Sequence, residues 1–333
     1  MIVVKAPLRI TFIGDATDLP DFCHQYPGQL ISTTIDKYIY VVINDTYRLN
    51  KFIVKYNITE EVDSVSELKH DRFRMAIADV GIKHGIEIGT FSDIPGNTGL
   101  GSSSTFSVAL IKALEKYSGN DINEKAVAEQ ASRLEIDLLK EPIGKQDQYA
   151  AAYGGFNWLR FNTDDSVEIA PVDCSESAKN KLEKYSLLFY TGVTRQASSI
   201  LTDQTKKIPD NFETYKRMAD SVGEFKVALV AGDMKKIGWL INREWEWKKT
   251  LAPNVSNKTI DSLCSVALDA GALGGRLIGA GSGGCLLFIV EPENQEMIKQ
   301  VFNERAQSLG LLNFQSIPIK FTKAGAELIF NEK

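Results

Sequence analysis

A loop rich in glycine and serine at residues 95–105 has the composition expected of a phosphate-binding site. Its glycines allow backbone N–H groups to converge on one point, and the helix predicted to follow adds unpaired N–H groups and a positive dipole end. The loop lacks the Gly-Lys-Ser/Thr ending of a Walker A motif, and a serine-capped turn would look the same locally. The residues predicted to contact nucleotide phosphates are Pro95, Gly96, Asn97, Thr98, Gly99, Leu100, Gly101, Ser102, Ser103 and Ser104.

A second group of polar residues follows a strand pattern that carries Arg9 near the start of the chain. Asp15, Thr17 and Asp18 lie in a Gly-Asp-Ala-Thr-Asp loop, and their short side chains can hold sugar hydroxyls. Because glycine, aspartate and threonine also favour turns, a solvated turn explains the local sequence equally well.

Asp147 is a candidate general base, since a carboxylate can accept a proton from a hydroxyl or orient that hydroxyl. It lies in the segment Gly-Lys-Gln-Asp-Gln-Tyr, residues 144–149, just after a helix that Pro142 is predicted to end. The alternative is an aspartate that caps the next helix.

Glu135 borders the apolar stripe of a helix predicted to begin with a capping box at residues 121–124. A carboxylate at the edge of a core face is costly without a partner. A magnesium ion shared with a serine of the loop, such as Ser103, would supply one. Position alone favours a basic partner instead, such as Arg133 or Lys140.

The last glycine-rich segment, residues 274–284, contains a formal Gly-x-Gly-x-x-Gly at Gly279, Gly281 and Gly284. A dinucleotide-binding fingerprint opens a helix, whereas this segment leads into the strand-like residues 285–290. We therefore predict a loop between strands that allows close backbone approach to a ligand or to another loop.

Composition restricts the class of protein. The 333 residues predict about two domains, and 44% hydrophobic and 24% charged residues are typical of a soluble globular chain. A net charge of −5 argues against nucleic-acid binding, and no apolar run reaches the length of a membrane span. Four scattered cysteines predict reduced thiols. We expect a cytoplasmic protein with neither nucleic acid nor membrane as a partner.

Strand-like and helical patterns alternate along the chain, which predicts an α+β fold. A polar stretch at residues 173–184 marks the predicted boundary between domains at 1–180 and 181–333. The predicted strands are 2–5, 9–13, 38–44, 52–56, 86–91, 156–161, 167–171, 187–190, 276–278, 284–290 and 315–321. The predicted helices begin at 103 and 121 and then span 198–204, 211–231, 234–251, 257–270 and 295–309.

Three segments, 6–18, 95–105 and 274–284, resemble the signatures of the GHMP small-molecule kinases in order and spacing, over essentially the whole chain. The resemblance implies two domains, an N-terminal one like ribosomal protein S5 and a ferredoxin-like C-terminal one, with the active site between them. It implies ATP as phosphoryl donor and Mg²⁺ as cofactor. Within that family, the chain is most similar to the heptose 7-phosphate kinase group of sugar 1-kinases. The residues that carry this similarity are 17–20, 34–38, 144–149 and Trp245 with Lys248.

The resemblance also implies a role for each site residue. Asp147 is the catalytic aspartate, and Arg9 acts near the transferring phosphoryl group. Glu135 and one serine, for which we take Ser103, bind magnesium. The predicted substrate-binding residues are Asp15, Thr17, Asp18, Gln148, Tyr149, Arg195 and Gly281, with Arg195 as the candidate partner of a substrate phosphate.

The function expected from the resemblance is phosphorylation of the anomeric C1 hydroxyl of D-glycero-D-manno-heptose 7-phosphate, for nucleotide-activated heptose biosynthesis. Related kinases have a run of glycines where this chain reads Gly14-Asp15-Ala16, so the sugar stays open. The alternatives are a galactose, fucose or N-acetylhexosamine kinase, a non-catalytic sugar or ATP sensor of the same fold, and a dehydrogenase. The oligomeric state, including a homodimer, is also left open.

Overall fold

Two β-sheets with helices packed against them form the computed structural model, which describes residues 1–46, 50–193 and 197–332. The strands are β1 (Ile2–Ile13), β2 (Gly28–Asp45), β3 (Phe52–Lys55), β4 (Thr59–Val62), β5 (Ile86–Ser92), β6 (Phe156–Phe161), β7 (Val167–Pro171), β8 (Ser186–Tyr190), β9 (Gly274–Leu277), β10 (Cys285–Ile289), β11 (Gln315–Ile317), β12 (Phe321–Thr322) and β13 (Glu327–Asn331). Within the described residues, a nine-stranded sheet has the order β13-β1-β2-β5-β3-β4, with β6 and β12 also on β2 and β7 on β6. The second sheet has the order β11-β8-β10-β9.

The helices lie between and beside these sheets. They are α1 (Pro20–Cys23), α2 (Asp71–Val80), α3 (Ser102–Tyr117), α4 (Glu124–Ser132), α5 (Gln146–Tyr153), α6 (Glu176–Tyr185), α7 (Ala197–Lys206), α8 (Ile208–Val230), α9 (Met234–Lys249), α10 (Lys258–Asp269) and α11 (Gln295–Ser308). The predicted α+β class is confirmed, although the sequence analysis did not identify α2, β4 or β13. None of the described helices combines the length and apolarity of a transmembrane span.

Strand β1 continues through Pro7, where the sequence predicted two separate strands. Proline has no N–H to donate, and the pairing of β1 with β2 shifts register between Pro7 and Arg9. At this irregularity the backbone N–H of Arg9 donates to the carbonyl oxygen of Leu100, at 3.1 Å. The proline that obscured the continuous strand therefore lies where β1 meets the glycine-serine loop.

Helix α3 fixes the other side of that loop. It packs against β1 and β2, and its apolar residues Val108, Leu110, Ile111 and Leu114 are fully buried in the core of the first sheet. Burial of these side chains stabilises the helix whose N-terminus follows the loop. The loop is therefore held between a core strand and a core helix.

The helix that carries the predicted acidic ligand begins later than expected. The capping box predicted at 121–124 is wrong, because Asn123 is the N-cap residue and its side chain accepts a hydrogen bond from the N–H of Ala126 at 2.9 Å. After α4 the chain continues as a π-helical turn, Arg133–Leu138. Such turns occur frequently at functional sites. Here the turn contains Glu135, whose side chain is fully buried.

The second sheet begins after α6, which occupies the polar stretch expected to separate two domains. Strands β12 and β13, from the C-terminal part of the chain, pair with β2 and β1 of the first sheet. The limits 1–180 and 181–333 stay a prediction, and the last strands extend the first sheet.

Candidate active site

The glycine-serine loop, the end of β1, the N-terminus of α5, α7 and α9 surround one cavity of about 370 Å³. The described residues that line this cavity include Arg9, Asp15, Asp18, Asn97, Gly99, Gly101, Ser102, Ser103, Ser104, Asp147 and Lys248. The structure thus brings together residues from both ends of the chain that the sequence predicted to act together.

Arg9 and Asp147 form a two-pronged ion pair in the cavity wall. The Nε of Arg9 donates to Oδ1 of Asp147 at 2.6 Å, and Nη2 donates to Oδ2 at 2.9 Å. The remaining Nη1 donates to the carbonyl oxygen of Gly99 in the loop, at 2.6 Å. This planar arrangement fixes both groups in orientation. It places a carboxylate and a guanidinium side by side against the predicted phosphate site.

Asp18 lies beside that pair, buried in the wall. Its carboxylate accepts hydrogen bonds from the backbone N–H and side-chain Nε2 of Gln146, at 3.0 and 2.7 Å. Burial raises the pKa of Asp18 to about 7; the backbone hydrogen bond opposes this, and the negative charges of Asp147 and Asp15 reinforce it. Asp18 therefore exchanges its proton near neutral pH, so it can donate or accept a hydrogen bond there.

Asp15 belongs to a buried charge network that joins the two sheets. Arg276 and Lys248 both donate to its Oδ2, and Arg276 also donates to Glu244 at 2.6 Å. Although burial favours the neutral acid, these two cations hold the pKa of Asp15 below its usual value. Glu244 in turn accepts from the backbone N–H of Gly14 at 2.7 Å. The network fixes the position of the loop that carries Asp15.

The two glycine loops pack directly against each other. A Cβ on Gly99 would lie 2.3 Å from the carbonyl oxygen of Ile278, and one on Gly279 would lie 2.6 Å from the Cα of Gly99. The backbone N–H of Cys285 donates to the carbonyl oxygen of Thr98 at 2.9 Å. The close backbone approach predicted for the 274–284 segment is therefore confirmed, and the partner is the glycine-serine loop.

Glu135 lies behind the serines, fully buried. Its carboxylate accepts from Nη2 of Arg72 at 2.9 Å, from Nε2 of Gln148 at 2.5 Å and from the hydroxyl of Ser103 at 3.5 Å. Burial raises the pKa of Glu135, and the positive charge of Arg72 opposes that rise. Arg72 also donates to Glu141, a residue of the cavity wall, at 2.6 Å.

A magnesium ion fits this corner in ligand type. The carboxylate of Glu135 and the hydroxyl of Ser103 supply adjacent hard oxygen donors, and Mg²⁺ usually takes one or two protein oxygens together with phosphate oxygens and waters. Among residues 1–46, 50–193 and 197–332, no group of three or more His, Cys, Asp or Glu side chains is placed to hold a metal. A cation here would therefore depend on the nucleotide for most of its ligands.

Several predicted residues lie outside the cavity lining. The buried hydroxyl of Thr17 donates to the backbone carbonyls of Gly14 and Gln29, and that of Tyr149 donates to Glu129. Gln148 binds Glu135, as described above, and Gly281 packs on Val255. Arg195 lies outside the described residues. The lining also omits Pro95, Gly96, Thr98 and Leu100.

Other residues of the site were not assigned a role by the sequence analysis. Gln146, Glu141 and Gln204 line the cavity, while Arg72 and Arg276 pair with its carboxylates. Arg276 lies within the last glycine-rich segment, residues 274–284, and that position was a usable signal. The partners of the others are set by tertiary packing and left no local pattern.

Comparison with known proteins identifies the fold and the family of this chain. The family described as GHMP kinases N terminal domain matches residues 67–155, and GHMP kinases C terminal matches 225–307. A D-glycero-alpha-D-manno-heptose 7-phosphate kinase of Campylobacter jejuni is 29% identical over 316 residues, 90% of this chain and 93% of that protein. A galactokinase of Pyrococcus furiosus is 24% identical and covers 89% of this chain, or 91% of its own length.

Solved structures show the same architecture. A D-glycero-D-manno-heptose 1-phosphate kinase from Bacteroides thetaiotaomicron superposes with a TM-score of 0.81 at 26% identity, covering 100% of both chains. Lactococcus lactis galactokinase complexed with galactose superposes at 0.76, with 18% identity, 98% of this chain and 94% of its own. The two-domain architecture expected from the sequence is confirmed.

Proposed function

We propose that this chain, which belongs to the GHMP kinase family and is an ATP-dependent sugar kinase, phosphorylates the anomeric C1 hydroxyl of D-glycero-D-manno-heptose 7-phosphate. The product would be the 1,7-bisphosphate. The similarity to the Campylobacter jejuni enzyme over nearly the whole chain supports this acceptor, and the chemistry of the cavity supports phosphoryl transfer to a hydroxyl.

The pairing of Arg9 with Asp147 next to the glycine-serine loop is the observation that carries the proposal. Phosphoryl transfer depends mainly on positioning the reactants and on neutralising charge. Asp147 receives or orients the proton of the attacking hydroxyl, and Arg9 offsets negative charge that develops on the transferred group. Because Arg9 also bonds to Gly99, the pair keeps a fixed position relative to the loop.

The nucleotide end of the cavity is built from Gly99, Gly101 and the serines of α3. Their backbone N–H groups and the N-terminus of α3 would hold the β- and γ-phosphates of ATP. Glu135 and Ser103 would hold Mg²⁺, which would supply positive charge to offset that of the phosphates. Asp18 and Asp15, which also line the cavity, would bind hydroxyl groups of the acceptor.

A phosphate group on the acceptor needs a cationic partner, so the balance of cations and acids in the cavity is relevant to the choice of acceptor. The charged residues among the described lining are two cations, Arg9 and Lys248, and four acids, Asp15, Asp18, Glu141 and Asp147. Both cations already pair with acids. Arg195, which lies outside the described residues, stays the candidate partner of an acceptor phosphate. This acid excess favours a second candidate, a 1-kinase for an unphosphorylated sugar, as in the galactokinases.

An acceptor panel separates the two candidates. ADP release is measured with ATP and Mg²⁺ on D-glycero-D-manno-heptose 7-phosphate, the unphosphorylated heptose, galactose and fucose. The proposal requires the heptose 7-phosphate to have the highest kcat/KM and Arg195→Met to lower it selectively. A higher kcat/KM for an unphosphorylated sugar would establish the second candidate instead.

We also propose a cytoplasmic location. All four cysteines are free thiols, and three of them are buried. Free thiols in a chain of this size are typical of a reducing compartment, where disulfides are rare. Cell fractionation, followed by detection of the protein in each fraction, measures the location directly.

A further inference from the structure

Helix α7 contributes one wall of the cavity, and no role has yet been given to it. Ser198, Leu201 and Gln204 follow each other at intervals of three residues, and all three line the cavity. Gln204 is fully buried, which is uncommon for a glutamine unless its amide is hydrogen-bonded.

The amide of Gln204 is only half satisfied. Its Nε2 donates to the carbonyl oxygen of Ala280 at 3.1 Å, whereas Oε1 is buried and has no hydrogen-bond partner. Turning the amide over would set Oε1 against that carbonyl oxygen, so the contact fixes the orientation. The side chain therefore offers an acceptor, and an unsatisfied buried acceptor has an energetic cost that a donor would remove.

Hydrogen bonds and adjacent residues connect Gln204 to the part of the cavity where we propose that the acceptor binds. Ala280 follows Gly279, whose carbonyl oxygen accepts a hydrogen bond from Lys248. The same ammonium group of Lys248 donates to Asp15. A continuous set of contacts thus links Gln204 to Asp15, one of the residues predicted to bind the substrate.

We propose that Gln204 determines acceptor specificity by accepting, at Oε1, a hydrogen bond from a hydroxyl group of the sugar. The proposal rests on the proposed function, because it takes a polyhydroxylated acceptor as given. A buried acceptor of this kind selects ligands that place a donor there and discriminates against analogues that lack the hydroxyl. It also disfavours an anionic group at that position, since Oε1 carries a negative partial charge.

Gln204→Met tests the proposal, because methionine keeps the length of the side chain and removes both polar ends. The KM for the acceptor is expected to rise about tenfold, the effect of one hydrogen bond, while the KM for ATP stays unchanged. Thr205→Val is the matched control. Thr205 is the next residue and also has a buried hydroxyl without a partner, but it does not line the cavity. Its acceptor KM is expected to equal that of the wild type.

Deoxy analogues of the acceptor identify the contact itself. Removing the hydroxyl that binds Gln204 should raise the wild-type KM about tenfold and leave the KM of Gln204→Met unchanged. A purely structural role would shift kcat, acceptor KM and ATP KM together and show no such selectivity. Gln204→Leu serves as the second variant if the methionine variant does not fold.

Two outcomes overturn the proposal. An acceptor KM that is unaltered in the folded Gln204 variants would show that the residue does not contact the sugar. Equal penalties for every deoxy analogue in wild type and variant would exclude a specific hydroxyl contact. A wild-type protein that phosphorylates none of the sugars would instead refute the proposed function, and that result needs no variant.

Discussion

Replacing Asp147 by asparagine tests the catalytic arrangement, because it removes one charge and little volume. Arg9 is 4% exposed, and its side chain donates two of its three hydrogen bonds to the Asp147 carboxylate. Asparagine keeps one oxygen but turns an NH₂ group toward the guanidinium. We expect turnover to fall by about 10²-fold or more, the scale for loss of an acid–base group, equivalent to about 3 kcal/mol of barrier.

The same substitution leaves the buried guanidinium of Arg9 with the Gly99 carbonyl and one neutral amide oxygen as acceptors, in place of a carboxylate. Breaking a fully buried ion pair costs about 3–5 kcal/mol. Because the Asp147 side chain is 22% exposed and asparagine retains one oxygen, we expect a smaller loss of unfolding free energy, about 2 kcal/mol. The protein should therefore stay folded at room temperature and bind ATP, since the glycine-serine loop is unchanged.

The assay compares ADP release, ATP affinity by calorimetry and urea unfolding for wild type, Asp147→Asn and Asp137→Asn. Asp137 is exposed and does not line the cavity, so its variant controls for the loss of a carboxylate. Turnover within twofold of wild type in a folded Asp147→Asn protein would refute the catalytic role of Asp147. A loss of ATP binding as large as the loss of turnover would show that the residue supports the loop rather than the chemistry.

Further predictions concern charge, metal and backbone. The pKa of Asp18 is about 7 in the fold against an ordinary value of 3.8, so its contribution to stability is fully present below about pH 4 and is lost as pH rises to 7. The unfolding free energy of wild type relative to Asp18→Asn should therefore fall between about pH 4 and 7 and level off above that, measured by urea titration. Glu135→Gln should raise the Mg²⁺ concentration for half-maximal rate about tenfold, in a metal titration of ADP release. Arg276→Met should lower the unfolding free energy by about 3–5 kcal/mol, because two buried carboxylates lose their shared partner. Gly99→Ala should cost about 1–3 kcal/mol or more, since φ is +82° and the new Cβ meets the Ile278 carbonyl, and should raise the KM for ATP.

Each of these four predictions can be contradicted by a specific result. An identical pH dependence in wild type and Asp18→Asn would exclude Asp18 as the titrating group. An unchanged Mg²⁺ requirement in Glu135→Gln would remove that residue from the metal site. A stable Arg276→Met protein would show that the buried network contributes little, and a normal Gly99→Ala protein would show that the two loops can separate.

The sequence predicted those features that depend on the types and order of neighbouring residues. The glycine-serine loop is recognisable because its backbone must turn sharply, and the limits of β6 and β7 match the predicted 156–161 and 167–171. The loop between β9 and β10 was also placed correctly. In each case the determining interactions lie within a few residues.

Pairings across the fold were not readable, and the reason is sequence distance. Position alone favoured a basic partner for Glu135 such as Arg133 or Lys140, but its basic partner is Arg72, 63 residues earlier, while Arg133 pairs with Asp79. Asp15 and Arg276 are 261 residues apart. Which cation faces which carboxylate depends on how two sheets dock, and a single sequence carries no local signal for that.

The position of the transferred phosphate tests the central claim most directly. Wild-type protein is incubated with ATP, Mg²⁺ and D-glycero-D-manno-heptose 7-phosphate, and the product is examined by ³¹P NMR. The account predicts a second sugar phosphate signal coupled to the anomeric proton, formed in equal amount to ADP. A new phosphate on any other carbon, or ADP accompanied by inorganic phosphate alone, would contradict it.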